Sequence, residues 1–176
     1  IGIEPASLVT KSLVREVKTD DAGCFQSALN PGLTKIAVIE RHKRTGKLGI
    51  GILEGYGLTG GAIATTISHD SHNIVVAGDN DPDMLLAVRE LADMGGGIVS
   101  VHGGAIRRLP LPIAGLMTSA DPQEVNAVLH DMLVAARAEL GIPEDVEPFM
   151  TLSFMALPVI PELKLTARGL FNDNTF

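Results

Sequence analysis

The sequence predicts a mixed α/β fold: a mixed sheet of hairpins with two main helices packed on it as a layer. Three observations carry that expectation. Short Ile-, Val- and Ala-rich runs turned by glycine recur along the chain. Two stretches place apolar residues at three- and four-residue spacing behind an Asp-Pro start. The two patterns alternate without a strict repeat, so neither an all-helical bundle nor a solenoid fits. With 176 residues, 45% of them hydrophobic, the chain suffices for one compact domain burying roughly 70% of its unfolded surface.

Residues 6–18 partly alternate and read as an extended strand or two. Lys35 to Glu40 and Leu48 to Leu53 read as short buried strands, and His42-Lys43-Arg44-Thr45-Gly46 has the composition of the hairpin turn between them. Seven glycines from Gly46 to Gly61 imply tight turns, bulges or backbone lying close to another surface. No Gly-Lys-Ser/Thr follows, which sets aside a phosphate loop. The first helix is expected to start with Asp81 as its cap and Pro82 in the first turn. Its apolar stripe would be Met84, Leu85, Val88, Leu91 and Ala92, ended by Gly95-Gly96-Gly97. A hairpin follows, Ile98 to Val101 and Ala105 to Leu109 about His102-Gly103-Gly104. Leu111 to Met117 then reads as an extended, non-central course set by Pro110 and Pro112.

The second helix starts at Asp121-Pro122-Gln123-Glu124, where Asp and Glu stand three apart as in a capping box. Val125, Val128, Leu129, Met132, Leu133, Ala136 and Leu140 form its stripe, with His130 and Asp131 as a solvated pair and Gly141 as its end. The apolar tail, 149–161, is expected to pack, with Met150, Phe154 and Met155 in the core and the Ser153 hydroxyl satisfied by backbone. Glu40 reads as a surface carboxylate, and His42 and His102 as exposed turn residues.

A net charge of −7 and a pI near 5.1 argue against electrostatic capture of nucleic acid, and 3% aromatics without Trp offer no base-stacking platform. Mean hydropathy is +0.26, yet no apolar run approaches the ~18 residues of a membrane span, and no secretory leader opens the chain. The single Cys24 excludes an intrachain disulfide and fits a reducing cytoplasm. An opening on Ile1 rather than Met reads as a fragment or processed piece of something longer.

The most informative stretch is Ser68-His69-Asp70-Ser71-His72-Asn73, wedged between apolar runs 61–67 and 74–78. Two of the five histidines, a carboxylate, two hydroxyls and an amide fall within one short loop. Buried unpaired, such groups cost roughly 2–7 kcal/mol each, so they need hydrogen bonds, a metal or substrate. His and carboxylate together can shuttle a proton or bind a divalent ion at neutral pH. The alternative is architectural: His69 and His72 bonded to backbone at a tight turn that Asp70 and Asn73 close. Positions three apart on a strand face opposite sides, so both imidazoles meet one metal only if the segment curls.

Residues 60–74, Gly-Gly-Ala-Ile-Ala-Thr-Thr-Ile-Ser-His-Asp-Ser-His-Asn-Ile, closely resemble the signature of the C-terminal domain of bacterial adenine deaminases. So do Ile39-Glu40-Arg41-His42 with Thr45-Gly46, and residues 109–117, 149–154 and 158–166, in family order over nearly the whole chain. Ala167-Arg168-Gly169 departs from the pattern, standing where an acidic residue often follows the Thr.

The resemblance implies the amidohydrolase superfamily and hydrolysis of adenine to hypoxanthine and ammonia in purine salvage, by a metal-activated water. Chemistry would run in a TIM barrel that this chain lacks, holding Mn or Fe on ligands N-terminal to Ile1. Residues 1–176 would then be a single domain, with 1–30 a connecting segment from that barrel, inactive alone. The domain would close the active site or form subunit contacts, as part of a homo-oligomer. Its partners would be its own barrel and adenine, with no nucleic acid and no membrane. On this reading His69, Asp70 and His72 line the active-site wall, Ser71 and Asn73 meet substrate, and His69 and His72 are possible metal ligands. A non-catalytic oligomerisation or binding module using the Gly-rich hairpin face is the alternative. A self-contained metal site in the loop would need more ligands than one loop supplies.

Overall fold

A computed structural model describes residues 1–173. In chain order the elements are β1 (Gly2–Ile3), β2 (Thr10–Lys11), a 3-10 turn (Ser27–Leu29), β3 (Leu33–Ile39), β4 (Leu48–Glu54), β5 (Gly61–Thr65) and β6 (Ile74–Gly78). Then come α1 (Asp81–Asp93), β7 (Gly97–His102), β8 (Ala105–Pro110), α2 (Pro122–Ala138), α3 (Pro148–Phe154), β9 (Leu163–Thr166) and β10 (Gly169–Asn172). Eight strands form one mixed sheet in the order β2-β1-β4-β3-β6-β5-β7-β8, and β9 and β10 form a separate hairpin. Every pairing is antiparallel except β1 with β4. The α/β expectation of hairpins under helices holds, and the described residues form no closed barrel.

The sheet is the middle of three layers. Strands β5 and β6 are buried along their whole length because both faces are covered, which is why they read as continuous apolar runs. Ala62, Ala64, Ile74, Val76, Val99 and Val101 pack under α1. Ile63, Val75, Ala77 and Ile98 point the other way, into a larger core closed by α2, α3 and Leu163 and Leu165 of β9.

Strand β4 reverses the usual rule. Gly49 and Gly51 face the core, while Leu48 and Ile50 are 52% and 54% exposed. The cause is the β9–β10 hairpin: a Cβ on Gly49 would stand 2.0 Å from the Thr166 carbonyl oxygen. Glycine is therefore required inside and the bulky residues are turned out, so the fully buried strand expected over 48–53 is corrected to one with an exposed apolar face.

Other expectations are also corrected. Of 6–18 only Thr10–Lys11 is a strand, tied to the tail by hydrogen bonds from Thr10 to Pro161 and from Glu162 to Thr10, both 3.0 Å. The cap of α1 is Asn80, whose side chain accepts from the Asp83 N–H, and Asp81 instead pairs with Lys35 at 2.6 Å. Its buried residues are Met84, Ala87 and Leu91; Leu85 and Ala92 face solvent. Asp121 caps α2 through the Gln123 N–H, but Glu124 does not complete a capping box. Met132, Ala135 and Ala136 are buried there and Val128 is exposed. Asp131 faces Arg107 rather than His130. Leu111 to Met117 is no extended course: it curls until Ile113 and Met117 bridge each other. The tail forms a third helix, α3, capped by Glu147. It buries Phe149, Leu152 and Ser153, the last donating to the Met150 carbonyl at 2.8 Å. Met155 is in the core, whereas Met150 is exposed and Phe154 only half-buried.

Candidate functional site

One end of the sheet collects the histidine loop and the polar turn after β3. The exit of β3, the β5–β6 loop, the entry to β7 and the loop after β8 all lie there, because Ile39 pairs with Ile74 and Thr65 pairs with both Val75 and Ile98. The β5–β6 loop, residues 66–73, contains the whole hexapeptide 68–73. It cannot continue as strand, since His72 takes a positive φ of 48° and its N–H turns back onto the Ser68 carbonyl at 2.6 Å. The curl brings the two imidazoles together, edge to face, with ring centroids 5.9 Å apart.

Each histidine is held differently. His69 stacks on Phe154 of α3 at 4.5 Å between centroids, and its N–H donates to the Ser153 carbonyl at 3.0 Å. Its ring stands over an apolar groove of about 310 Å³ lined by Ile67, Ile98, Leu129, Phe149, Met150 and Phe154. His72 has a buried Nδ1 without a hydrogen-bond partner among the described residues. Burial lowers its pKa below the usual histidine value, reinforced by His69 and Arg41 and opposed by Asp70, so the ring stays neutral near pH 7. Asp70 and Ser71 are exposed, and Asn73 is buried with its N–H 3.4 Å from the Ser71 hydroxyl. The loop is thus closed by the Ser71 hydroxyl rather than by an Asp70 side-chain bond. Ser68, fully buried, also has a hydroxyl oxygen with no partner among the described residues.

Arg41 is the residue that reading the sequence missed. Its Nε donates to the His72 carbonyl at 2.6 Å, and its Nη2 donates to the Ala114 carbonyl at 2.7 Å. It therefore clamps the histidine loop to the turn after β8. That turn is fixed in place by Thr66, whose hydroxyl donates to the Gly115 carbonyl at 2.6 Å. The signal was present in the basic run 41–44, but nothing local distinguishes a clamping arginine from a solvated one. His42 joins the same rim, its Nε2 lying 2.8 Å from the Ser71 carbonyl.

Glu40 proves to organise its turn. Its carboxylate accepts from the N–H groups of His42, Lys43 and Thr45 and from the Thr45 hydroxyl. Those backbone donors hold its pKa down at about 2. His102 is the last residue of β7, half-buried, with Nδ1 2.8 Å from the Gly60 carbonyl at the opposite end of the strand from the loop.

Among the described residues no three His, Cys, Asp or Glu side chains converge as a metal set. His69, His72 and Asp70 match in number the three protein ligands of a catalytic metal centre but do not converge on one point, so the loop does not fit such a centre by itself. No helix among the described residues is long and apolar enough to cross a membrane.

A mixed sheet covered on both faces, with a histidine loop clamped at one sheet end, defines an open-sheet α/β domain. The profile of the adenine deaminase C-terminal domain matches residues 7–176. Over its whole length the chain is 59% identical to an adenine deaminase of Nitratidesulfovibrio vulgaris, 47% to one of Clostridium acetobutylicum and 46% to one of Listeria monocytogenes. It covers 30%, 31% and 30% of those proteins, respectively. The chain belongs to the adenine deaminase C-terminal domain family.

Proposed function

We propose that this chain is the C-terminal domain of a cytoplasmic adenine deaminase of the amidohydrolase type, and that its histidine loop forms one wall of the active site. The observation that supports this best is the gathering of His69, Asp70, His72, His42 and Arg41 at one sheet end, beside an apolar groove roofed by the His69–Phe154 stack. A planar purine is apolar on its faces and polar at its edges, and such a wall offers both kinds of surface. His72, neutral near pH 7, can take or give a proton, with His69 and Asp70 beside it. Ser71 presents a hydroxyl to substrate and Asn73 holds Ser71 in place. The divalent metal, Mn or Fe, belongs to a preceding barrel, since the donors here do not make a centre for it. Deamination of adenine in purine salvage is then the work of the joined domains. Residues 1–176 act as one unit, with 1–30 leading in from the barrel.

The test is adenine deamination by the full-length enzyme, wild type against His69→Ala and His72→Ala, with metal content measured in each. A fall in kcat of about 100-fold or more with metal retained is the expected result. Unchanged kinetics with a lowered melting temperature would make the loop architectural.

The exposed Leu48 and Ile50 favour a second reading, in which the Gly-rich hairpin face joins copies of the enzyme into an oligomer. Light scattering on the full-length enzyme with Ile50→Asp decides it: retained subunit number overturns this reading.

A further inference from the structure

Two sequence features that the proposed function leaves unused meet in space. The basic turn after β3 and Arg168 of the β9–β10 turn border one open cleft of about 810 Å³. Lys43, Lys47 and Arg168 line it, together with His42. None of the three long side chains makes an ion pair or a side-chain hydrogen bond among the described residues. Lys11, Arg15, Lys35, Arg107, Arg108 and Arg137 each face a carboxylate; Lys18, Arg44 and Arg89 have no ion pair among the described residues either, but they do not line the cleft. The one carboxylate lining the cleft, Glu40, has both oxygens occupied by its own turn. Three cations against the single carboxylate of Glu40 leave this concave surface with an excess of positive charge in a protein whose net charge is −7, an arrangement that concentrates small anions. Leu170, more than half exposed, supplies an apolar wall on the other side.

We propose that this cleft binds the phosphate group of a small organic phosphate, held by Lys43, Lys47 and Arg168 with its apolar body against Leu170. Lysine and arginine are the side chains that pair with phosphate oxygens, arginine through two parallel N–H groups. The cleft also touches the histidine loop, because His42 lines it and contacts the Ser71 carbonyl. Occupancy is thus sensed at the proposed active-site wall, through Ser71 and Asn73, which line the cleft themselves, and through the His42 imidazole.

Calorimetry on this chain with inorganic phosphate, AMP and adenosine tests the assignment, at fixed ionic strength. The expected result is that phosphate and AMP bind, AMP more tightly, and adenosine does not. Arg168→Gln or Lys47→Gln should then weaken both by about tenfold or more, while Lys11→Gln, a cation outside the cleft, leaves them unchanged. Because the cleft cations hold nothing else in place, melting temperatures of the Arg168→Gln and Lys47→Gln variants should match wild type. In NMR spectra the His42 ring signals should shift on titration with AMP. Three results would overturn the proposal: no binding of phosphate or AMP at millimolar concentration, adenosine binding as well as AMP, or Lys11→Gln weakening binding as much as Arg168→Gln.

Discussion

Arg41 binds the His72 carbonyl through Nε at 2.6 Å while its Nη2 reaches the Ala114 carbonyl at 2.7 Å, so one guanidinium joins two loops that lie more than forty residues apart. Arg41 is half-buried, and burial lowers its pKa somewhat from the usual arginine value without threatening its charge. The positioning of the histidine loop thus depends on a residue from a different strand.

Removing the clamp should loosen the loop without unfolding the sheet. Arg41→Ala is expected to cost about 1.5–3 kcal/mol, the range for hydrogen bonds to a charged group. Arg41→Lys should recover only part, since an ammonium lacks the planar fork that reaches both carbonyls. Gly115→Ala should act on the same clamp, because its φ of 76° disfavours a side chain and a Cβ there would stand 2.8 Å from Arg41 Nη2. Urea denaturation measures the loss, and hydrogen exchange at the His72 N–H, which bonds Ser68, should speed up in each variant while β5 and β6 stay protected.

Glu40 makes the turn at 40–45 pH-dependent. Its folded pKa of about 2 lies below the ordinary carboxylate value of 4.5, so the folded state holds fewer protons than the unfolded chain between those values. Its stabilising contribution is fully present above pH 4.5 and is lost as pH falls through about 2. Melting curves of wild type and Glu40→Gln should differ at pH 6 and converge toward pH 2. A constant difference across that range would show that the carboxylate charge is irrelevant.

Lys164 makes a second, opposite test. Its side chain is fully buried in β9 with its amine donating to the Leu8 carbonyl at 2.7 Å, and burial pushes its pKa down to about 8. Between pH 8 and its ordinary 10.5 the unfolded chain binds more protons than the folded one, so stability rises with pH across that window. Below it the charged amine is buried at full cost. Wild type should therefore gain stability relative to Lys164→Met as pH is raised from 7 through 10, read from urea midpoints at each pH.

Much of the sheet was legible because β5 and β6 are apolar throughout and buried on both faces, so no tertiary knowledge was needed to find them. The helices were found from their Asp-Pro starts and stripes, but their buried faces were misjudged by one position. Ala87 and Ala135 face the core because small residues let α1 and α2 approach closely, and Leu85 and Val128 were mistaken for core because hydrophobicity alone cannot say which edge of a stripe is covered. The seven-residue helix α3 escaped notice since its apolar residues run almost unbroken, which periodicity cannot resolve at that length.

By itself the sequence determined the family, the alternation of strands and helices, and the loop at 68–73 that bears the two histidines, because each is carried by residues adjacent in the chain. Only the tertiary structure decided what those residues meet. Phe154 under His69, Arg41 on His72, Arg168 bordering one cleft with Lys43, and glycines turned inward on β4 with Leu48 and Ile50 turned out all join positions distant along the chain. Such pairings depend on which strands neighbour one another and on how closely two backbones approach, and no local pattern encodes either.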